Sequence, residues 1–408
     1  MKRIALVVPA FPKLSETFIV NKFLQLLAKG WDVHVVCSKS DPQEFEAFPD
    51  LLKLADWRQR VHVSWPTSPR WCAAMLMPLV LVWILGKNWG ATCRYLRLGW
   101  KKFGWDVLRQ LYFDAELLKL QPDLIHMEFG ALAIGKMHLK ELLDCKLLIS
   151  FRGYDLNFVG LERPDYYKEV WKKADALHLL GEDLWQRAQK RGCGSDKPHA
   201  LIPPAINTEV FDPGTRADTP VTGTAARPLR ILSVGRLEWR KGYEYALQAV
   251  KILASQGVAC EYRIIGGGDF LGALAFTRYQ LGLDDSVYLE GPWPQSVIKE
   301  KMLWADLFLH AAVSEGFCNV VLEAQAMRLP VVCTDAGGLP ENVVQGETGF
   351  VVRRRSPEEL ADKLLVLARD GISRQEMGEA GRQRVLTRFS LPEQVSAFEA
   401  LYNQVLNG

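Results

Sequence analysis

Short apolar runs recur along the chain, separated by stretches with helical spacing. In the first half they are IALVV (4–8), DVHVVC (32–37), DLIHM (123–127), KLLISF (146–151), ALHLLG (176–181) and HALIPPAI (199–206). Unbroken apolar runs of this length fit strands buried on both faces, as in parallel sheets. Between the first two lies SETFIVNKFLQLLAKG, with apolar residues every three or four positions. It reads as a helix with Ser15 as N-cap and Gly30 as its stop. The alternation restarts with LRILSVG (229–235) and continues through EYRIIGGG, SVYLEG, ADLFLHAA, PVVCTD and GFVV. Helical stretches lie between these, among them YEYALQAVKILASQG and SPEELADKLLVLARD, and SLPEQVSAFEALYNQVL ends the series.

Strands alternating with helices predict α/β architecture: two Rossmann-like, doubly wound parallel-sheet domains. Residues 207–229, NTEVFDPGTRADTPVTGTAARPL, carry neither period and are rich in Pro, Gly, Thr and Asp, so they read as a linker. The expected division is 1–206, the linker, 230–385, and a C-terminal helix over 386–408 packing back on the N-terminal domain. A ligand is expected in the cleft between the two, at the carboxyl ends of the strands.

Composition narrows the class. At 408 residues, 49% hydrophobic and 24% charged, the chain reads as a globular protein of two domains. A net charge of +3 gives no nucleic-acid signature, although the first 205 residues carry 29 Lys and Arg against 22 Asp and Glu. The eight cysteines lie at least fifteen residues apart, so no C-x-x-C or paired-cysteine zinc spacing is present, and they fit buried thiols in a reducing compartment. Pro9 interrupts the first apolar run too early for a signal peptide. The expected location is therefore cytoplasmic.

Candidate chemistry concentrates in the second half. In SVGRLEWRKG a strand ends, Gly235 turns the backbone, and Arg236 and Lys241 follow before a helix. Two cations there suit an anionic ligand such as a diphosphate; the alternative is a solvated basic turn. Gly266, Gly267 and Gly268 form a tight turn after the next strand, without the dinucleotide-binding pattern. In SEGFCNVVLEA, Glu315 sits on a loop beside Gly316, Asn319 is the expected N-cap, and Glu323 lies one turn into the helix. Loop amides suit phosphate or hydroxyl oxygens, whereas carboxylates accept from hydroxyls and repel phosphate. Two carboxylates around an amide nest therefore suit a nucleotide sugar; the alternative is a capped surface helix with two solvated glutamates. DAGGLPE (335–341) adds a third glycine loop.

Residues 231–352 resemble the C-terminal half of the family 4 retaining glycosyltransferases, which have the GT-B fold. The matching segments, in order, are GRLEWRKG at 235–242, the glycine turn at 266–268, Glu315 and Glu323 with seven residues between them, and PVVCTDAGGLPE at 330–341. FPKLSETFI (11–19) is similar to members that build exopolysaccharides, and IPPAINTEVFDP (202–213) also resembles the family. The resemblance implies a nucleotide sugar donor, UDP-linked first and GDP-linked next, and a glycan or lipid-linked acceptor bound by the N-terminal domain. It assigns Arg236 and Lys241 to the donor diphosphate, Glu323 to the ribose hydroxyls, and Glu315 to a donor-sugar hydroxyl. Gly316, Phe317, Cys318, Asn319 and Val320 would lend backbone contacts, Gly235, Gly266 and Gly267 would line the donor, and Trp293 would lie near the base. Ser15, Glu16 and Thr17 would face the donor from the N-terminal half. The family's His-Gly-x-Asp is altered to Arg152, Gly153, Tyr154, Asp155; arginine stays charged and cannot serve as a base. No Asp-x-Asp triplet is present, so neither a metal nor another cofactor is expected. Rival readings are a nucleotide-sugar epimerase and a non-catalytic sugar- or nucleotide-binding protein of the same fold.

Residues 57–105 contain no Asp or Glu, eight Lys or Arg, and seven of the thirteen tryptophans. The apolar run 71–86 within them is too short to span a bilayer and contains Pro78. This composition fits an anionic membrane interface, hence a peripheral position on the inner face of the cell membrane. The alternative is a buried helical hairpin with cationic edges.

Overall fold

The computed structural model describes residues 2–13, 16–214 and 222–408. The chain forms two compact units: 1–180 with 185–202 and 395–408, and 203–394 with 181–184. Ser15, expected as a helix cap and site residue, lies outside the described residues, as does part of the expected linker.

The first unit holds seven strands: β1 (Arg3–Ala10), β2 (Asp32–Lys39), β3 (Val61–Val63), β4 (Leu124–Met127), β5 (Lys146–Phe151), β6 (Ala176–Leu179) and β7 (His199–Leu201). Their order is β3-β2-β1-β4-β5-β6-β7, and every pairing is parallel. The apolar runs account for six of them. The pattern gives no sign of β3, whose three residues VHV at the sheet edge are too few to show a period. Val395–Gly408 belongs to this unit, where Tyr402 meets His126 at 2.8 Å and Glu399 accepts from Trp31 at 2.9 Å.

The second unit holds β8 (Leu229–Val234), β9 (Cys260–Ile265), β10 (Val287–Gly291), β11 (Leu307–His310), β12 (Val331–Thr334) and β13 (Gly349–Val352), in the order β10-β9-β8-β11-β12-β13, again all parallel. Both sheet faces are covered. Leu229 and Ile231 pack with the helix Tyr243–Ser255, whereas Leu232 and Val234 pack with Val321 and Leu322 of the helix Asn319–Ala326. In each unit the winding reverses beside the first strand, at β1/β4 and at β8/β11. Such a reversal leaves a crevice at the carboxyl ends of those strands, where ligands of open α/β sheets bind.

Residues 57–105 form neither a span nor a wholly buried hairpin. They contain the helices Arg70–Lys87 and Trp89–Phe103. Val80 and Ile84 of the first are fully buried, and Val80 packs against Tyr112 and Ala115. Its other face is open, with Trp71, Met75, Leu79 and Val82 each more than 60% exposed. No helix among the described residues is long and apolar enough to cross a membrane.

Candidate active site

In the second unit, the loops leaving β8, β9 and β11 are stitched together by their backbones. Gly235 N–H donates to Ile265 O and Leu237 N–H to Gly267 O, both at 2.9 Å. Gly266, with φ +152°, lies so close to the Gly235 carbonyl that a Cβ there would collide with it. The amides of Val313 and Ser314 donate to the Arg240 carbonyl at 2.9 and 3.4 Å, joining the β8 loop to the β11 loop. A Cβ on Gly338 would strike the Gly316 carbonyl, so the third glycine loop packs tightly there as well. The three glycine loops read from the sequence thus meet at the β8/β11 reversal, and close backbone approach is what the glycines provide.

Lys241 and Glu315 meet at the centre of this arrangement. Lys241 Nζ donates to Glu315 Oε2 at 2.5 Å, and each side chain is little more than a tenth exposed. His310 Nε2, at the end of β11, lies 3.4 Å from the same carboxylate oxygen and 3.5 Å from Cys318 Sγ. Burial opposes the charge on Glu315, but Lys241 and His310 outweigh it and hold the carboxyl well below the usual range. Burial also disfavours a charged His310, yet the Cys318 sulfur and Glu315 raise it to about 9. Burial opposes the Lys241 charge too, and Glu315 reverses the direction, so its pKa rises. Glu315 is therefore an anion fixed by two cations, a group that accepts hydrogen bonds.

Glu323 is different. It is half-buried on the helix Asn319–Ala326, and no side chain among the described residues pairs with it. Burial alone pushes its carboxyl up to about 7. An unpaired, partly desolvated carboxyl costs stability unless a ligand satisfies it.

The other expected donor-site residues lie on the same loops. Arg236 is 70% exposed, and Glu238 is its ion-pair partner at 2.8 Å. Phe317 and Val320 are partly buried against the core of this unit, Cys318 is buried, and Asn319 is the first helical residue. The expectation that Asn319 caps this helix is corrected: the N-cap is Cys318, with no side-chain cap bond. Asn342, fully buried, secures that turn instead, accepting from Cys318 N–H and donating to Cys318 O, each at 3.2 Å. Trp293 is 48% exposed in the loop after β10. Sequence reasoning missed His310, Asn342 and Tyr243, whose hydroxyl donates to Gly235 O at 3.0 Å. Only contacts formed by folding single them out.

The first unit has its own cluster at the carboxyl ends of β1, β4 and β5. Glu128, fully buried, accepts from Lys22 and pairs with Arg152 Nη2 at 3.0 Å. The Arg152 guanidinium lies 4.3 Å from the Phe18 ring centroid. Asp155 accepts from the amides of Arg152 at 2.9 Å and Ala131 at 3.0 Å, beneath the short helix that begins at Gly153. Glu16 precedes the helix that Thr17 opens, and pairs with Lys13 at 2.8 Å. Burial lowers the Lys22 pKa to about 8 against the pull of Glu128, and Glu128 is held below its usual range by Lys22 and Arg152 despite its burial. His126, Ser150 and His178 extend the network inward, with Ser150 Oγ 2.7 Å from a ring nitrogen of each histidine.

Two parallel Rossmann-like sheets, with glycine loops around a Lys–Glu pair at one strand-order reversal, describe a two-domain α/β transferase of the GT-B type. Residues 216–384 match the family model described as Glycosyl transferases group 1. The protein named WcaL of Escherichia coli strain K12, a glycosyltransferase assigned to colanic acid biosynthesis, is 30% identical over 371 residues, 87% of each chain. The chain belongs to this glycosyltransferase family, which selects glycosyl transfer over the epimerase reading. Among solved structures, sucrose-phosphate synthase from Thermosynechococcus elongatus superposes with a TM-score of 0.73 at 19% identity over 100% of both chains. HepE of Anabaena, solved in complex with UDP, superposes with a TM-score of 0.72 at 15% identity over 99% of this chain and 100% of that one. At these identities the likeness concerns the fold.

Proposed function

We propose that the chain is a retaining glycosyltransferase that moves a sugar from a nucleoside diphosphate donor, UDP-linked by preference and GDP-linked next, to a hydroxyl of a glycan or lipid-linked acceptor. The carrying observation is the Lys241–Glu315 pair at the β8/β11 reversal, with unpaired Glu323 on the adjoining helix. Breaking the bond between the anomeric carbon and the phosphate oxygen leaves negative charge on the diphosphate. Lys241 and Arg236 neutralise it, and the amides around Gly316 add preorganised donors. Glu323 accepts from the ribose hydroxyls and so gains the partner it lacks. Glu315, held anionic by Lys241 and His310, accepts from a donor-sugar hydroxyl. The acceptor oxygen bonds to the anomeric carbon on the face the diphosphate leaves, and its proton passes to a diphosphate oxygen. No covalent protein nucleophile is required, and the protein's own cations carry the neutralisation. Similarity to WcaL, whose name assigns it to colanic acid biosynthesis, supports reading the acceptor as a growing exopolysaccharide.

The open apolar face of the helix Arg70–Lys87 gives the acceptor a route from a bilayer. Trp71, Met75, Leu79 and Val82 lie three or four residues apart, and 57–105 carry eight cations and no acid. An open apolar face set among cations suits an anionic membrane interface. Flotation with vesicles containing phosphatidylglycerol tests it. Met75→Ser with Leu79→Ser should reduce co-flotation severalfold, whereas unchanged flotation removes the membrane partner.

A panel of UDP- and GDP-sugars, each with and without a lipid-linked oligosaccharide fraction, tests the reaction. Acceptor-dependent release of the nucleoside diphosphate, with the anomeric configuration of the product matching that of the donor, is expected. Product of inverted configuration contradicts the retaining assignment.

A further inference from the structure

His310, Glu315 and Cys318 are the one group of three His, Cys, Asp or Glu residues among the described residues whose ligating atoms converge, all within 4.8 Å of one another. We infer that these three side chains form a binding site for a thiophilic divalent cation of the zinc or cobalt(II) type. Its occupancy withdraws Glu315 from Lys241.

Two of the three ligand-atom separations match adjacent corners of a tetrahedron, and the third is within 4.8 Å. Zinc binds nitrogen and oxygen at about 2.0–2.2 Å and thiolate at about 2.3 Å, so adjacent ligand atoms of a tetrahedron lie roughly 3.3–3.8 Å apart. His310 Nε2 is 3.4 Å from Glu315 Oε2 and 3.5 Å from Cys318 Sγ. The donor set of one nitrogen, one carboxylate oxygen and one sulfur is what zinc and cobalt select over magnesium or calcium. His310 and Cys318 are each 3% exposed, and the more open Glu315 leaves a side of entry. The positions of the ligands are fixed from outside the cluster. Asn342 clamps the Cys318 backbone through two hydrogen bonds, and His310 ends a buried strand. On coordination the Cys318 thiol proton and the His310 Nε2 proton leave to solvent, and the metal takes the place of the Lys241 ammonium at Glu315 Oε2.

A consequence follows for donor binding, and it rests on the function proposed above. Lys241 and Glu315 are both assigned to the donor, so a bound metal competes with the nucleotide sugar. The site is then an inhibitory one, through which free zinc slows transfer.

Cobalt titration of the chelator-treated full chain tests the site. The expected result is a near-ultraviolet thiolate-to-cobalt charge-transfer band with tetrahedral ligand-field bands in the visible, saturating at one cobalt per chain and bleached by zinc. Cys318→Ala should abolish the band. His310→Asn retains the thiol and should weaken cobalt binding at least tenfold, as loss of a ligand does, so the assignment does not depend on one variant folding. Cys93→Ser, which removes an exposed cysteine, should leave the band intact. No charge-transfer band at saturating cobalt in a folded protein overturns the inference, as does a band that survives Cys318→Ala or disappears with Cys93→Ser. UDP calorimetry with and without zinc separates the two claims. UDP binding without a cobalt band removes the metal site and leaves the donor site standing; a cobalt band without UDP binding does the reverse.

Discussion

The two units carry parallel sheets of the same winding, seven strands against six, and opposite kinds of cluster. In the first, Lys22, Arg152, Glu128 and Asp155 satisfy one another, and the Glu128 side chain is sealed from solvent. In the second, Glu315 is paired but still reachable, Glu323 has no side-chain partner among the described residues, and Arg236 is 70% exposed beside Glu238. A closed network has spent its hydrogen bonds on itself. It holds loops in place and has little left for a ligand. The open cluster keeps an unfilled carboxyl and a mostly exposed arginine at the strand-order reversal, which is why it, and not the closed cluster, is proposed as the donor site.

The largest expected effect tests the closed cluster. Glu128→Ala leaves Lys22 and Arg152 as buried charges without their anion, a loss of about 3–5 kcal/mol. Thermal denaturation should show a fall in Tm of many degrees. A change of under 1 °C would show that the network is not structural.

Next comes the open cluster. Lys241→Met removes the cation that fixes Glu315 and, on the proposed mechanism, a diphosphate contact. Loss of one preorganised donor lowers kcat by roughly 10²–10³-fold. Initial-rate kinetics should show that fall in kcat, and a kcat within threefold of wild type would remove Lys241 from the machinery.

A smaller effect is expected at Asn342, which does for Cys318 what Asn319 was expected to do locally. Asn342→Ala leaves the buried Cys318 amide without its acceptor, and the Cys318 carbonyl with only the Leu322 amide at 3.4 Å, at a cost of about 1–3 kcal/mol. Denaturant titration should give that loss with an unchanged m-value, and a null result would assign the turn to its local sequence.

That residue also shows where sequence reading stops. The glycine loops, the cations at 236 and 241, and the two glutamates were legible because each is local: a strand end, a turn and a helix start within a few residues. His310 and Tyr243 reach partners five to eight residues away and Asn342 one 24 residues away, at spacings that match no helix or strand period and so give no signal in the chain. The strand β3 was invisible because three residues at a sheet edge carry no period. The tryptophan-rich segment was legible in composition but not in placement, because the Arg70–Lys87 helix is apolar all round and only packing decides which face is covered.

The smallest effect concerns pH. Burial raises the Glu323 carboxyl from its ordinary 4.5 to about 7. Because the folded state holds this proton more tightly than the unfolded chain, Glu323 costs stability as pH rises from 4.5, and the cost is complete above 7. A ribose that needs the anion gains over the same window. UDP affinity should therefore rise severalfold between pH 6 and pH 8 in the wild type, beyond the ionisation of the phosphate itself. Repeating the titration with Glu323→Gln should show only the phosphate contribution, and identical pH profiles would exclude Glu323 as the acceptor.

The central claim is that the open cluster grips a diphosphate. Arg236 tests it most directly because it is 70% exposed and its removal should leave the fold intact. Calorimetry of UDP and of uridine against wild type and Arg236→Ala is the decisive measurement. A charge-assisted hydrogen bond contributes about 1.5–3 kcal/mol, so the variant should bind UDP at least tenfold more weakly while its uridine affinity is unchanged. Equal UDP affinity in the two proteins would contradict the account.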